Sequence, residues 1–328
     1  MNKELLMKIC TVVGPSGQEE AIRDMIQEEV KNLVDDCKVD ALGNLIAHKK
    51  GPGKKMMLAG HMDQIGLMVT YISKEGFLHF SPIGGKSPAI CLGQRFIFPN
   101  GTLGTAACER LDKPSDLTID KMYIDIGAKD EEEAKKQVKI GDVCVYSATS
   151  ELSGDIIISP ALDDRVGCFI MIEALKKLTK PAYDLYFVFT SQEEVGLRGA
   201  RTAAYAIEPD YGLSFDVTVS ADTPKAHKYP SKMYGGAAIK IKDASLLCHP
   251  TIINHLESCA KRANIKHQFE ILDWGGTDSG AIHVNKGGVP SGVISIATRY
   301  VHSANEMCAL SDIQSCIDLT IAALETAI

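Results

Sequence analysis

The feature that most constrains this chain is the apolar run Leu185-Tyr186-Phe187-Val188-Phe189. Bulky residues without polar alternation leave no face for water, so the run reads as a strand buried on both sides, as in a parallel sheet covered by helices. The chain leaves it through Thr190-Ser191-Gln192-Glu193-Glu194-Val195-Gly196, placing two adjacent carboxylates where the strand ends. A strand cannot present Glu193 and Glu194 to one face, but at its end one can turn inward and the other sideways. Adjacent glutamates are also common on solvated loops, so their meaning depends on what stands at the other strand ends.

The sequence on either side follows the same strand–helix alternation. Leu5, Leu6, Ile9 and Cys10 share one face of a first helix, and Ser16 with Glu19 forms a capping-box pattern before a second helix over residues 18–34. Residues 38–40 and 44–48 read as a hairpin, and Lys54–Gly60 as a strand entering the core. After Pro160, helices at 165–178, 199–206, 249–263 and from Ser311 onward alternate with strands at 183–189, 211–215, 236–241, 266–272 and 292–296, with a short helix at 279–283. The middle third differs. Short strands at 67–72, 77–80, 95–98, 122–126 and 143–146 are divided by Gly and Pro, with one helical stretch at 131–136 and a polar loop at 112–120. The expected fold is therefore α/β: a mostly parallel sheet covered by helices on both faces, formed by residues 1–66 and 160–328, with an inserted β-rich domain over 67–159. No internal repeat or low-complexity segment interrupts this pattern.

The chain has 328 residues, 45% of them apolar, which is enough for a sizeable core. Net charge is −7 with no basic block, which argues against nucleic acid as a partner. The 10 cysteines contain no CxxC pair and several sit in apolar runs, as expected of free buried thiols in a reducing compartment. No apolar run is long enough for a membrane span and the N-terminus lacks a signal-peptide pattern, so a cytoplasmic location is expected.

Ligands bind beyond the carboxyl ends of the strands in open α/β sheets. Read that way, five strand ends carry His or carboxylate residues: His61-Met62-Asp63, Leu162-Asp163-Asp164-Arg165, Glu193-Glu194, Asp216, and Tyr300-Val301-His302. Each has an ordinary structural reading when taken singly: a surface turn, an acidic N-cap, a capped loop, a satisfied histidine. Together they offer two imidazoles and several carboxylates to divalent ions of borderline hardness: two per subunit, Zn²⁺ or Co²⁺, with Mn²⁺ a further candidate. Two ions roughly 3.5–4 Å apart need a bridging carboxylate, assigned here to Asp163. Each ion then takes one His and one further carboxylate. Glu193 is left to accept a proton from water as general base, and Asp63 can receive the far imidazole N–H of His61 and fix its tautomer. Such a site hydrolyses an acyl bond.

These residues give the chain its resemblance to the M42 family of metalloaminopeptidases, the group of glutamyl, deblocking and TET aminopeptidases. The stretches, in the family's order, are 59–66 (Ala-Gly-His-Met-Asp-Gln-Ile-Gly), 161–167 (Ala-Leu-Asp-Asp-Arg-Val-Gly), 191–200 (Ser-Gln-Glu-Glu-Val-Gly-Leu-Arg-Gly-Ala), 215–217 (Phe-Asp-Val), 275–278 (Gly-Gly-Thr-Asp) and 299–303 (Arg-Tyr-Val-His-Ser). The resemblance implies a zinc-exopeptidase-like fold. It places His61 and Asp216 on one ion, Glu194 and His302 on the other, Asp163 between them, Glu193 as base and Asp63 as the group that orients His61. It further implies that the β-rich insertion serves homo-oligomerisation, often as a dodecameric shell admitting peptides, and that residues 275–278 line the substrate cleft. Two departures bear on metal and substrate preference: Gln64 where the family usually has Glu, and Ala304-Asn305 where Pro-Val is usual.

Two rivals have a basis in the sequence. Some relatives of the family carry cellulase labels, and Glu193/Glu194 superficially resemble a glycosidase pair. That reading leaves His61, Asp216 and His302 without a role. A non-catalytic scaffold would keep the assembly without turnover, but the full ligand set argues against it.

Overall fold

The computed structural model describes all 328 residues, Met1–Ile328. The apolar run forms the strand Asp184–Thr190, which lies inside an eleven-stranded sheet. It pairs in parallel with Lys55–His61 on one side and antiparallel with Leu45–Lys49 on the other. Beyond Lys55–His61 the order continues through Tyr211–Val219, Ser291–Arg299, Glu306–Ala309, Ile156–Ser159 and Glu151–Ser153. Asp36–Val39 forms the opposite edge, and Ala237–Lys242 with His267–Ile271 branch from Ser291–Arg299.

The sheet is mixed, which corrects the expectation of a mostly parallel one. The continuous parallel stretch is its centre, Asp184–Thr190, Lys55–His61, Tyr211–Val219 and Ser291–Arg299. Toward the flanks the connecting loops 40–44, 154–155 and 300–305 are too short for the crossover that a parallel pair needs, so these strands return antiparallel. Helices do cover both faces. Met56 and Leu58 point into a core with the helices Lys3–Thr11, Glu20–Val30, Leu162–Lys177, Pro250–Arg262 and Leu310–Leu324. Their alternating neighbours Met57 and Ala59 face the opposite way, against Arg198–Ile207 and Asp278–Ile282. Phe187 and Phe189 are fully buried in the larger core, where truncation of either to Ala costs about 3–5 kcal/mol.

The second helix is shorter than expected, Glu20–Val30, and the capping box does not form. Ser16 Oγ instead donates to Asp63 Oδ2 at 2.6 Å, and Glu19 Oε1 accepts the N–H groups of Gly17 (2.7 Å) and Gln192 (3.1 Å). A hydroxyl bonded to a carboxylate is held about twice as strongly as one bonded to a neutral group, which explains the competing choice. Arg165 is completely buried, and its guanidinium donates to the carbonyls of Ile9 (2.7 Å), Val12 (3.2 Å) and Gly14 (3.4 Å), fastening the exit of the first helix to the start of Leu162–Lys177.

Between these parts, six strands close into a barrel in the order Gly66–Ile72, Leu78–Ile83, Met122–Asp125, Leu103–Cys108, Arg95–Ile97 and Val143–Tyr146. Closure leaves no free edge, and Leu67, Phe80, Phe96, Phe98 and Ile124 fill its own apolar core. Its strand Leu103–Cys108 was not expected from the sequence, nor was Glu306–Ala309 in the main sheet. Residues 112–120, expected as a loop, include the 3₁₀ turn Pro114–Asp116. All ten cysteines are free. No helix is long and apolar enough to cross a membrane.

Candidate active site

His61 is the last residue of Lys55–His61, Glu193 and Glu194 follow Asp184–Thr190, and His302 follows Ser291–Arg299. Asp163 lies in the first turn of Leu162–Lys177, directly after Ile156–Ser159. Asp216 differs from expectation. It sits inside Tyr211–Val219, because Val217, Thr218 and Val219 continue the ladder opposite Ile296, Ala297 and Thr298.

The fold brings the five residues expected to be ligands into two overlapping groups, His61–Asp163–Asp216 and Asp163–Glu194–His302, with potential ligand atoms in each within 4.8 Å of one another. Asp163 belongs to both. Its Oδ1 lies 3.0 Å from His61 Nε2 and its Oδ2 lies 3.2 Å from His302 Nε2. Glu194 Oε2 is 3.4 Å from the same His302 nitrogen. Glu193 is in neither group. Its Oε2 stands 3.8 Å from His61 Nε2, and its side chain lines the cavity above the cluster.

Asp63 stands beside His61 Nδ1, as expected, with both its backbone carbonyl and its carboxylate within reach. The nearest acceptor to His61 Nδ1 is the Asp63 backbone carbonyl at 3.0 Å, with the carboxylate Oδ1 at 3.4 Å. The carboxylate itself accepts the backbone N–H of Glu193 (2.9 Å) and of Glu194 (3.2 Å), and the Ser16 hydroxyl. One fully buried aspartate therefore positions a histidine with its backbone and two glutamates with its side chain.

The local electrostatics favour cations. Burial, above all, pushes the carboxyls of Glu193, Glu194 and Asp216 up, and charged neighbours, Asp163 among those of Glu194 and Asp216, push further. Burial also opposes the charged forms of Asp163 and His302, yet the hydrogen bonds and charges around them, from His61 and His302 on Asp163 and from Asp163 and Glu194 on His302, together outweigh it, holding Asp163 low and His302 at about 11. Glu194 Oε1 is buried and has no hydrogen-bond partner. Clustered carboxylates facing two imidazoles, with an orphaned carboxylate oxygen among them, suit divalent ions with mixed N and O ligands.

Several residues that build the site were not recognised in the sequence. Glu306 is buried and bonds with both oxygens: Oε2 accepts the Asp163 N–H at 3.0 Å and Oε1 the His302 N–H at 2.7 Å. Burial pushes its carboxyl up to about 8, with the Asp163 charge adding to the effect. Asp164 accepts the His61 N–H at 3.2 Å. Gly60 and Gly167 leave room for that carboxylate, since a Cβ on Gly60 would lie 3.2 Å from its Oδ2. Gly85 comes from the loop after the barrel strand Leu78–Ile83, and a Cβ there would stand 2.9 Å from His302 Nδ1. The Asp-Asp pair and the paired glycines were visible as residues. Nothing in the sequence tied Glu306 to them, because its strand was not anticipated.

Asp163, Glu193, Glu194, Asp216 and His302 line part of a cavity of about 530 Å³. Gly275 and Gly276 line it as expected, whereas Asp278 turns away and accepts the Thr190 hydroxyl at 2.5 Å. Gln64 reaches back to the Val12 carbonyl (3.3 Å), and Ala304 packs in the barrel core. Neither Gln64 nor Asn305 lines the cavity.

The family model described as M42 glutamyl aminopeptidase matches residues 43–319. A protein of Acetivibrio thermocellus named as an inferred aminopeptidase is 53% identical, over 98% of each chain. The lysyl aminopeptidase of Pyrococcus furiosus is 35% identical, over 98% of this chain and 96% of its own. Among solved structures, a TET peptidase of Pyrococcus horikoshii that assembles into a tetrahedron or a large octahedral shell has a TM-score of 0.89 at 31% identity, covering 99% of both chains.

Proposed function

The chain belongs to the M42 glutamyl aminopeptidase family and is a peptide hydrolase, and on that footing we propose that it is a di-metal aminopeptidase releasing N-terminal residues from peptides. His61 and Asp216 would hold one ion, Glu194 and His302 the other, and Asp163 would give one carboxylate oxygen to each. The observation that carries this reading is the division of Asp163, with Oδ1 at 3.0 Å from one histidine and Oδ2 at 3.2 Å from the other. Zn²⁺ and Co²⁺ match the ligand set, with Mn²⁺ a third candidate.

When bound, the ions supply polarisation of the scissile carbonyl and acidity of the attacking water. The chain's own residues do the rest. Glu193 accepts the proton that the water loses on attack and returns it to the departing amine, as a general base that becomes a general acid. Its exclusion from both ligand groups leaves its carboxylate available for this role. Asp63 holds the backbone of Glu193 and Glu194, so that base and ligand keep fixed positions relative to His61. A carboxylate facing the cavity, Asp216 or Glu193, receives the substrate's free α-ammonium.

The glycoside-hydrolase alternative gains nothing from this arrangement, since it leaves both histidine-centred groups idle. The scaffold alternative does not account for so complete a site. Hydrolysis of free-amine and N-blocked aminoacyl p-nitroanilides by chelator-stripped protein, before and after adding Zn²⁺, Co²⁺ or Mn²⁺, tests the proposal. Metal-restored cleavage confined to free-amine substrates supports it. Cleavage that survives metal removal contradicts it.

Residues 1–66 and 160–328 would form the catalytic domain, and 67–159 an oligomerisation domain. Exposed Leu103, Tyr71 and Ile140 in that segment support a covered surface. The assembled shells of the Pyrococcus horikoshii relative make a closed homo-oligomer the expected state. Light scattering of purified protein measures it directly.

A further inference from the structure

The cavity lining combines two kinds of residue. Asp163, Glu193, Glu194, Asp216 and His302 are its titratable members, and all belong to the candidate site. Its apolar members are Leu197, Val217, Val219, Leu272, Trp274 and Val301.

The charged groups nearby are occupied elsewhere. Asp273, beside Trp274 in sequence, accepts from Tyr229 Oη at 3.2 Å and pairs with Lys242 at 3.1 Å. Arg198 donates to Gln192 Oε1 at 3.2 Å. Lys86, next to Gly85, turns its Nζ onto the Tyr146 ring, 3.5 Å from the centroid. The indole of Trp274 is held at the cavity wall by edge-on contacts with His227, at 5.1 Å, and Tyr229, at 5.3 Å.

Resting on the aminopeptidase reading, we infer that the apolar lining around Leu272 and Trp274 is the pocket for the N-terminal side chain, and that the enzyme selects peptides beginning with a large uncharged apolar residue such as Leu, Met or Phe. An N-terminal Glu or Lys would leave its charge against Leu272 and Trp274 without a counter-ion, and an unpaired buried charge is strongly disfavoured. A small residue such as Ala would leave the wall unfilled. Each missing methylene in an apolar pocket lowers kcat/KM by roughly 10-fold or more. At about 530 Å³ the cavity has room for a large apolar side chain.

Trp274 supplies a reporter independent of turnover, because it is the only tryptophan in the chain. Two measurements test the inference on the full-length, metal-loaded protein. The first is kcat/KM for Leu-, Met-, Phe-, Ala-, Glu- and Lys-p-nitroanilide. The second is titration of Trp274 fluorescence with free L-leucine, L-glutamate and L-lysine. The large apolar substrates should exceed Glu and Lys by about 100-fold or more, and leucine alone should perturb the fluorescence at low concentration. Glu or Lys equal to or above Leu in either measurement overturns the inference. If no substrate is cleaved while leucine still binds selectively, the aminopeptidase reading fails and the pocket assignment stands. A Trp274→Asp variant should raise the Lys-to-Leu ratio at least about 10-fold, with Trp274→Phe close to wild type. An unchanged ratio in Trp274→Asp contradicts the assignment.

Discussion

Asp63 Oδ1 accepts the backbone N–H of Glu193 at 2.9 Å. Through this bond a residue at the end of one central strand fixes the candidate base at the end of its parallel neighbour. The same carboxylate takes the Glu194 N–H, so its removal loosens the candidate base and a candidate ligand together. Asp63→Ala should lower metal affinity by about 10–100-fold and reduce turnover at saturating metal. Calorimetric titration of the stripped protein, followed by steady-state kinetics, checks both. Unchanged metal affinity and kcat would show that the glutamates hold themselves.

Glu306 makes a parallel case from the other side of the site. Its two oxygens receive the N–H groups of Asp163 and His302. Glu306→Gln retains one acceptor and turns an amide donor toward a backbone donor, leaving a buried N–H unsatisfied at a cost of about 1–3 kcal/mol. The expected result is a lower Tm and metal affinity weakened by roughly 10-fold or more. Thermal unfolding with and without added Zn²⁺ measures the two effects separately. A variant equal to wild type in both would remove Glu306 from the site's supporting structure.

His255 provides a pH-dependent contribution far from the chemistry. It sits in Pro250–Arg262 with Nε2 donating to the Ala323 carbonyl at 3.0 Å. Burial is the main reason its pKa lies below the ordinary value, with Arg262 adding to the effect against the hydrogen bond. The unfolded chain therefore binds this proton more readily than the folded one. Stability from the neutral imidazole is present above the unfolded pKa, about 6.5, and is lost as pH falls below it. Urea unfolding at pH 7.5 and pH 5 should show a smaller difference for His255→Gln than for wild type. An equal or larger difference would contradict this assignment.

Much of the site was legible because metal chemistry demands particular residue types at strand ends, and His61, Asp163, Glu193, Glu194 and His302 stand at or just beyond them. Asp216 was recognised as a residue but misplaced, since Val217-Thr218-Val219 extends its strand in a way that the Phe215 boundary did not suggest. The helices on both faces followed from the alternation of elements. The antiparallel flanks did not, because strand direction depends on connection length, and the strand Glu306–Ala309 went unrecognised. Ser16 and Glu19 show a further limit. Their capping pattern is a local signal, whereas the partners they bind, Asp63 and Gln192, are distant in sequence.

The proposed mechanism divides two tasks between neighbouring carboxylates: Asp163 holds metal and Glu193 moves the proton. Elemental metal analysis paired with turnover, for wild type, Glu193→Gln and Asp163→Asn, separates the two tasks. The expected result is two ions per subunit in wild type and in Glu193→Gln, with kcat in that variant reduced by about 10²–10⁴-fold, and lost metal in Asp163→Asn. A metal-free Glu193→Gln protein, or one that keeps wild-type turnover, would contradict it.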